Sequence, residues 1–374
     1  MERKHWIDNL RWVTVLLVLF YHVFYFYNNK GVFGGIGGFG DYPEYKQYQD
    51  IVMYILYPWF MPLLFLLAGI GSRYALQKQS AKEWFKARTR KLLVPGTIGL
   101  FVFQWMTGYF NTLVAGKGDV LKDVPGVGKY IMCSFSGIGP LWFIQLLWLL
   151  CLVLLLVRAI DRKDRFYHWC GKANLVAILL MGVLFWVGEQ TLIKNPRQES
   201  MDGLLNLYKP LFYLIPFLMG YFVFAHDKVQ EKLGKYWIPL MVCAVVSCIV
   251  LVVTTFGQDN TTPQYLGSWL NCLYGWLMCL AMMAWFKAKF NHTGSFAGYM
   301  TRNSFGIYIV HYLVIASLGY MMKMYTSLAP WMMYVILFVA VTTLSPLLNE
   351  IIKRIPFVRW CVLGIKKSDV RCKM

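Results

Sequence analysis

Hydrophobic runs of about twenty residues, the length a helix needs to cross roughly 30 Å of hydrocarbon, recur along almost the whole chain. They fall near 7–27, 51–72, 93–114, 139–158, 173–192, 206–225, 237–256, 267–286, 302–322 and 331–352. A chain punctuated in this way is expected to fold as an all-α, polytopic membrane helix bundle of about ten transmembrane helices. Composition agrees, because 58% of the 374 residues are hydrophobic and only 15% are charged, fewer charges than a soluble protein of this length carries. The first run is too long for a signal-peptide core and lacks a small-residue cleavage site, so it is expected to be retained.

Lysine and arginine give the bundle a direction. With the N-terminus inside, 26 of the 37 basic residues fall in inner segments and 9 in outer ones. That asymmetry places both termini in the cytoplasm of a cell (inner or plasma) membrane. The expected division is a membrane domain over 1–352 and a basic cytoplasmic tail over 353–374. The formal charge of +19 then belongs mostly to the cytoplasmic face and suits contact with anionic membrane lipid. The basic residues are split among short loops, which argues against a nucleic-acid partner. Nine cysteines show neither metal-ligand spacing nor a disulfide framework and read as small apolar packing residues; no metal is expected. The Gly-rich run over 31–40 lacks the strand-then-helix setting of a nucleotide loop. Residues 77–91 read as an amphipathic interfacial helix leading into the third span, with Pro95 near its entry.

Polar groups inside the spans are the candidates for chemistry, because a charge or imidazole within a membrane helix is costly and marks function by default. Arg11 and His22 lie eleven positions apart in the first span. At about 100° per residue they leave the helix on nearly one face, separated along the axis by roughly 16 Å. Asp8, three residues before Arg11, can pair with it. The competing reading is a snorkelling arginine and a histidine bonded to a neighbouring helix. Tyr21 can orient the imidazole or pack at the outer interface. Arg88, Arg90 and Lys91 can hold a phosphorylated ligand at the cytoplasmic rim, or can simply express the positive-inside bias. Gln145, three residues past Trp142, either bonds another helix, which its spacing favours, or meets a substrate. Ser304 and His311 share a helix face, whereas Arg302 and His311 do not. Asp161, Asp164, Asp227 and Glu231 look like solvated loop charges. Glu189, Glu199, Asp202 and Asp259 stand near outer helix ends, where they can contact a polar acceptor.

In their order, D8-x-L-R11 with His22, F85-x-x-R88-x-x-K91-L-L-x-P95, L141-W142-F143 and N303-S-F-G-I-Y-x-V-H311 resemble the acyltransferase-3 family of integral membrane acyltransferases. The resemblance runs from the first span to the ninth. One departure is Ala68 before Gly69, where many members have Ser. The extracytoplasmic esterase-like domain of the longer members has no counterpart in the sequence.

What the resemblance implies is transfer of an acyl group, of the acetyl or succinyl class, from cytoplasmic acyl-coenzyme A to a hydroxyl of an extracytoplasmic carbohydrate or lipid-linked glycan. Arg11, Arg88, Arg90 and Lys91 would hold the donor's phosphates. His22 would act as general base on the acceptor hydroxyl or as an acyl-histidine nucleophile, in a water-accessible pocket. Trp142, Gln145, Ser304 and His311 would support the site. The alternative class is a proton-coupled transporter or flippase, which buried Arg and His would also suit.

Overall fold

The computed structural model describes residues 3–27, 45–195 and 201–366, with only the backbone described for 45–50. The Gly-rich run, Lys30, Arg197, Glu199 and the last eight residues lie outside them. The principal helices are α1 (His5–Phe26), α2 (Phe60–Leu76), α3 (Ala81–Arg88), α4 (Val94–Gly99), α5 (Trp105–Val114) and α6 (Gly126–Ser136). Then follow α7 (Trp142–Ile160), α8 (Gly182–Glu189), α9 (Pro210–Phe222), α10 (Asp227–Lys235) and α11 (Trp237–Thr255). The last are α12 (Trp269–Lys289), α13 (Ser295–Tyr325), α14 (Pro330–Arg354) and α15 (Pro356–Leu363). The described residues contain no strand.

Eight helices among the described residues are long and apolar enough to cross a membrane, or nine if a bent pair counts as one span. The expectation of ten shortens at two places. Residues Leu175–Glu189 are helical but break at Met181. At 1.5 Å per residue that stretch covers only about 22 Å, short of the hydrocarbon thickness. The expected span at 206–225 lies in Met201–Phe222, after which the chain turns by 103° into Asp227–Lys235. Part of residues 77–91 is helical: Ser80 and Glu83 exchange hydrogen bonds as a capping box at the start of α3. Helical structure then continues to Val114, widening into π turns at Thr89–Leu93 and Leu100–Gln104.

The chain divides into two compact units. The first comprises Met1–Thr14, Tyr54–Phe85 and Leu149–Thr301. Its α2 and α9 cross so closely that a Cβ at Gly69 would overlap the Phe217 carbonyl, and one at Gly220 the Leu66 carbonyl. Small residues at a membrane helix crossing let backbones approach and gain dispersion contact. Asn9 of α1 donates to the carbonyls of Phe290 and His292 at 2.8 and 2.7 Å, tying the start of the chain to the end of α12.

Three of the four acids read as solvated, Asp161, Asp164 and Asp227, are partly structural. Arg73, only 6% exposed, forks onto Asp164 at 2.8 and 2.9 Å and stacks 3.5 Å from the Tyr167 ring centroid. A buried guanidinium needs such a bidentate partner to offset lost hydration. Asp164 reaches it from a left-handed backbone conformation, φ 53°. Asp161 caps the Arg165–Cys170 turn by accepting from backbone amides, and Asp227 pairs with Lys4.

The Arg73 hydrogen bond holds the Asp164 carboxyl below the usual aspartate range, against the smaller opposing effect of burial. The stabilisation is therefore complete above the ordinary aspartate value of 3.8 and disappears as pH falls through the lower folded value. Thermal unfolding of the detergent-purified protein should show this as a midpoint that drops through the acid range. Asp164→Asn should lower the midpoint at neutral pH and flatten its acid dependence; an unchanged slope would contradict the assignment.

The second unit comprises Val15–Met53, Lys86–Trp148 and Arg302–Met374. Here α5 packs on α6 with Gly108 against the Cys133 carbonyl, and Gly137 lies against the Gln104 carbonyl. The later half of α1 stacks Phe24 on Tyr334 of α14 at 4.7 Å, and Tyr27 donates to the Gly319 carbonyl of α13 at 3.1 Å. Past the last long span, α15 folds back with Arg359, Cys361, Val362 and Leu363 buried.

Candidate active site

The second unit brings two motif histidines together. His22 of α1 and His311 of α13 lie with Nδ1 and Nε2 3.2 Å apart. The His22 Nδ1 is also 2.8 Å from the Val18 carbonyl, one turn earlier, and the His311 Nδ1 faces the Tyr308 carbonyl. A carbonyl only accepts, so these partners assign the proton to Nδ1 on both rings. The His22 Nδ1–H is then shared between Val18 and the bare Nε2 of His311. What remains is the His22 Nε2 lone pair, which has no hydrogen-bond partner among the described residues. His311 is fully buried, whereas His22 is half-buried and keeps an open edge.

Aromatic rings fix the pair. Tyr21 and Tyr312 meet His22 edge-on with centroids 5.4 and 5.3 Å away, and Tyr21 stacks on Tyr25. The loop entering α7 braces α13: Tyr308 donates its hydroxyl to the Pro140 carbonyl, and Phe143 meets the Tyr308 ring edge-on. Trp142, beside them, is half-buried. Gln145 donates to the Gly96 carbonyl at 2.7 Å, the helix-to-helix bond its spacing favoured.

Sequence reasoning passed over Gln104. It is 3% exposed and donates at 2.9 Å to the Ile309 carbonyl, two residues from His311. A glutamine amid apolar neighbours in the third span was the available signal. Also missed was a polar seam at the start of α13. Asn303 accepts from Asn349 at 3.1 Å and from Lys353 of α14, and Gly306 sits against the Asn349 carboxamide oxygen. Ser304, 2% exposed, is buried beside this seam in sequence, two turns before His311.

Arg11 pairs with Asp8 at 2.7 Å, as its spacing suggested, and Asp8 also accepts from Arg3. Arg11 keeps 46% of its side-chain surface exposed, so it remains open to a further anion. Arg88 and Arg90 are half-buried and Lys91 exposed at the first π turn, whose Thr89 accepts from the Trp148 indole at 3.1 Å. A π turn offsets the helix register and often occurs at functional sites.

The paired rings leave one imidazole nitrogen open with a second imidazole behind it, an arrangement chemically able to take a proton or attack a carbonyl. The acyltransferase-3 family profile, described as an acyltransferase domain, matches residues 4–350. No curated protein and no solved structure matches the chain.

Proposed function

The chain belongs to the acyltransferase-3 family of membrane acyltransferases, and we propose that it moves an acetyl- or succinyl-class group from cytoplasmic acyl-coenzyme A to an extracytoplasmic hydroxyl. The acceptor is a carbohydrate or lipid-linked glycan, and the setting is the cell (inner or plasma) membrane with both termini in the cytoplasm. The observation that carries this reading is the hydrogen-bonded His22–His311 pair with its open Nε2.

In the proposed step the His22 Nε2 takes the acceptor hydroxyl's proton as the oxygen attacks the thioester carbonyl. The tetrahedral intermediate collapses with cleavage of the C–S bond, and the imidazolium returns its proton to the departing thiolate. Charge that builds on His22 is shared through Nδ1–H with His311, whose neutral Nε2 is placed to accept it. His311 is thus a positioning residue, fixing the tautomer as the buried carboxylate does in a serine hydrolase triad. Arg11, Arg88, Arg90 and Lys91 supply cations of the kind that bind nucleotide phosphates. The acyl-histidine route uses the same open nitrogen as nucleophile.

The test is thiol release by the detergent-purified protein across a panel of acyl-coenzyme A donors, with and without envelope glycans. Release that depends on the acyl group and rises with acceptor is expected. No release from any donor, together with substrate uptake in sealed vesicles, would replace this reading with that of a carrier.

A further inference from the structure

Arg359 has no part in the chemistry above and no simple structural account. It lies in α15, is 7% exposed, and among the described residues has no carboxylate within ion-pair distance. Its Nη1 donates to the Lys353 carbonyl at 3.0 Å, at the C-terminal end of α14, and its Nε is buried without a partner. The helix end offsets part of the charge, since a helix C-terminus carries about half a negative charge. One carbonyl occupies one of the five guanidinium N–H groups. The positive-inside bias explains basic residues at the membrane surface, but it gives no reason to bury one.

The surroundings add cations. Lys353 is already committed to Glu350 at 2.9 Å and to Asn303. Glu350 is the single carboxylate across α14, α15 and residues 88–104. Gly364 ends α15 in a left-handed conformation, φ 62°, with the Arg90 carbonyl and the Lys91 Cα so close that a Cβ would overlap them. The glycine therefore lets α15 close against the basic π turn. On its other side α15 exposes Phe357 (66%) and Trp360 (37%), side chains suited to the headgroup layer.

We propose that Arg359, held in α15 beside the C-terminal end of α14, seats a phosphate group of a ligand at this end of the second unit. A phosphate supplies the negative charge and the multiple acceptor oxygens that the buried fork lacks. Two sources share that chemistry: the nucleotide end of the acyl-coenzyme A donor, which rests on the function proposed above, and an anionic lipid headgroup.

The test measures binding by the purified full-length chain through thermal stabilisation and titration. The probes are coenzyme A, inorganic pyrophosphate and phosphatidylglycerol mixed micelles, each compared with unliganded protein. Coenzyme A and pyrophosphate should stabilise the wild type, and Arg359→Gln should weaken both about tenfold or more. Should the glutamine variant lose its fold, Arg359→Lys keeps the charge but not the fork and should still bind more weakly. A loss confined to phosphatidylglycerol keeps the phosphate seat and makes the headgroup its ligand. Equal affinities in wild type and every folded variant, or no stabilisation of the wild type by any probe, would overturn the proposal. Arg359-dependent pyrophosphate binding in a protein that releases no thiol would leave the seat standing while removing the acyltransfer reading of the site.

Discussion

His22→Ala is expected to lower acyl transfer by roughly 10²–10⁴-fold, the usual worth of a positioned general base, while the protein still folds and binds donor. The expectation follows from the hydrogen bonds at the pair. Only the His22 Nε2 is left open, because its Nδ1 and both nitrogens of His311 are engaged. Alanine is a good helix former, and half-buried His22 leaves little void when shortened. The measurement is turnover by thiol release, with donor binding followed separately. Wild-type turnover in the alanine variant would end the mechanism. His311→Asn provides the companion comparison. It should reduce turnover less and displace the pH–rate profile, since it removes the acceptor behind Nδ1 and leaves the reacting nitrogen in place. A mass shift on His22 in acceptor-free protein incubated with donor would distinguish the acyl-histidine route.

Much of this architecture can be read from periodicity, because a membrane helix announces itself by length and hydropathy. Asp8–Arg11 and Gln145 were legible for a similar reason: intervals of three and four along a helix fix a face before any partner is known. What spacing does not carry is the meeting of separate helices. His22 and His311 stand 289 positions apart, and nothing in either run states that their rings touch. Gln104 was overlooked because one amide in an apolar span looks incidental until the carbonyl it reaches is known. The bend after Phe222 and the break at Met181 were missed because hydropathy averages over a window and registers no change of direction. Loop acids were misjudged for the opposite reason. Asp164 is polar and adjacent to Lys163 and Arg165, yet its partner is Arg73, buried in the last turn of α2 just past the expected end of the second span.

Glu189→Gln and Lys209→Met should each cost about 3–5 kcal/mol of stability, as expected when one member of a buried ion pair is removed. In the first unit these side chains are 4% and 3% exposed and lie 3.2 Å apart. Glu189, one of four acids near outer helix ends, is thus buried in an ion pair. Lys209 also stands 5.3 and 5.6 Å from the ring centroids of Tyr57 and Phe212. It adopts φ 40° immediately before Pro210, where α9 begins. A left-handed lysine is itself strained, by about 1–3 kcal/mol, so the surrounding contacts must hold it there. Removing either partner strands a charge that neither lipid nor the aromatic walls can hydrate. The double replacement Glu189→Leu with Lys209→Met should recover most of the loss, because an apolar pair of similar volume avoids the desolvation cost altogether. Denaturant unfolding in mixed micelles, run as a double-mutant cycle, measures the coupling. Additive losses in the double variant would mean that the two charges are solvated independently, and that something other than the ion pair fixes the turn into α9.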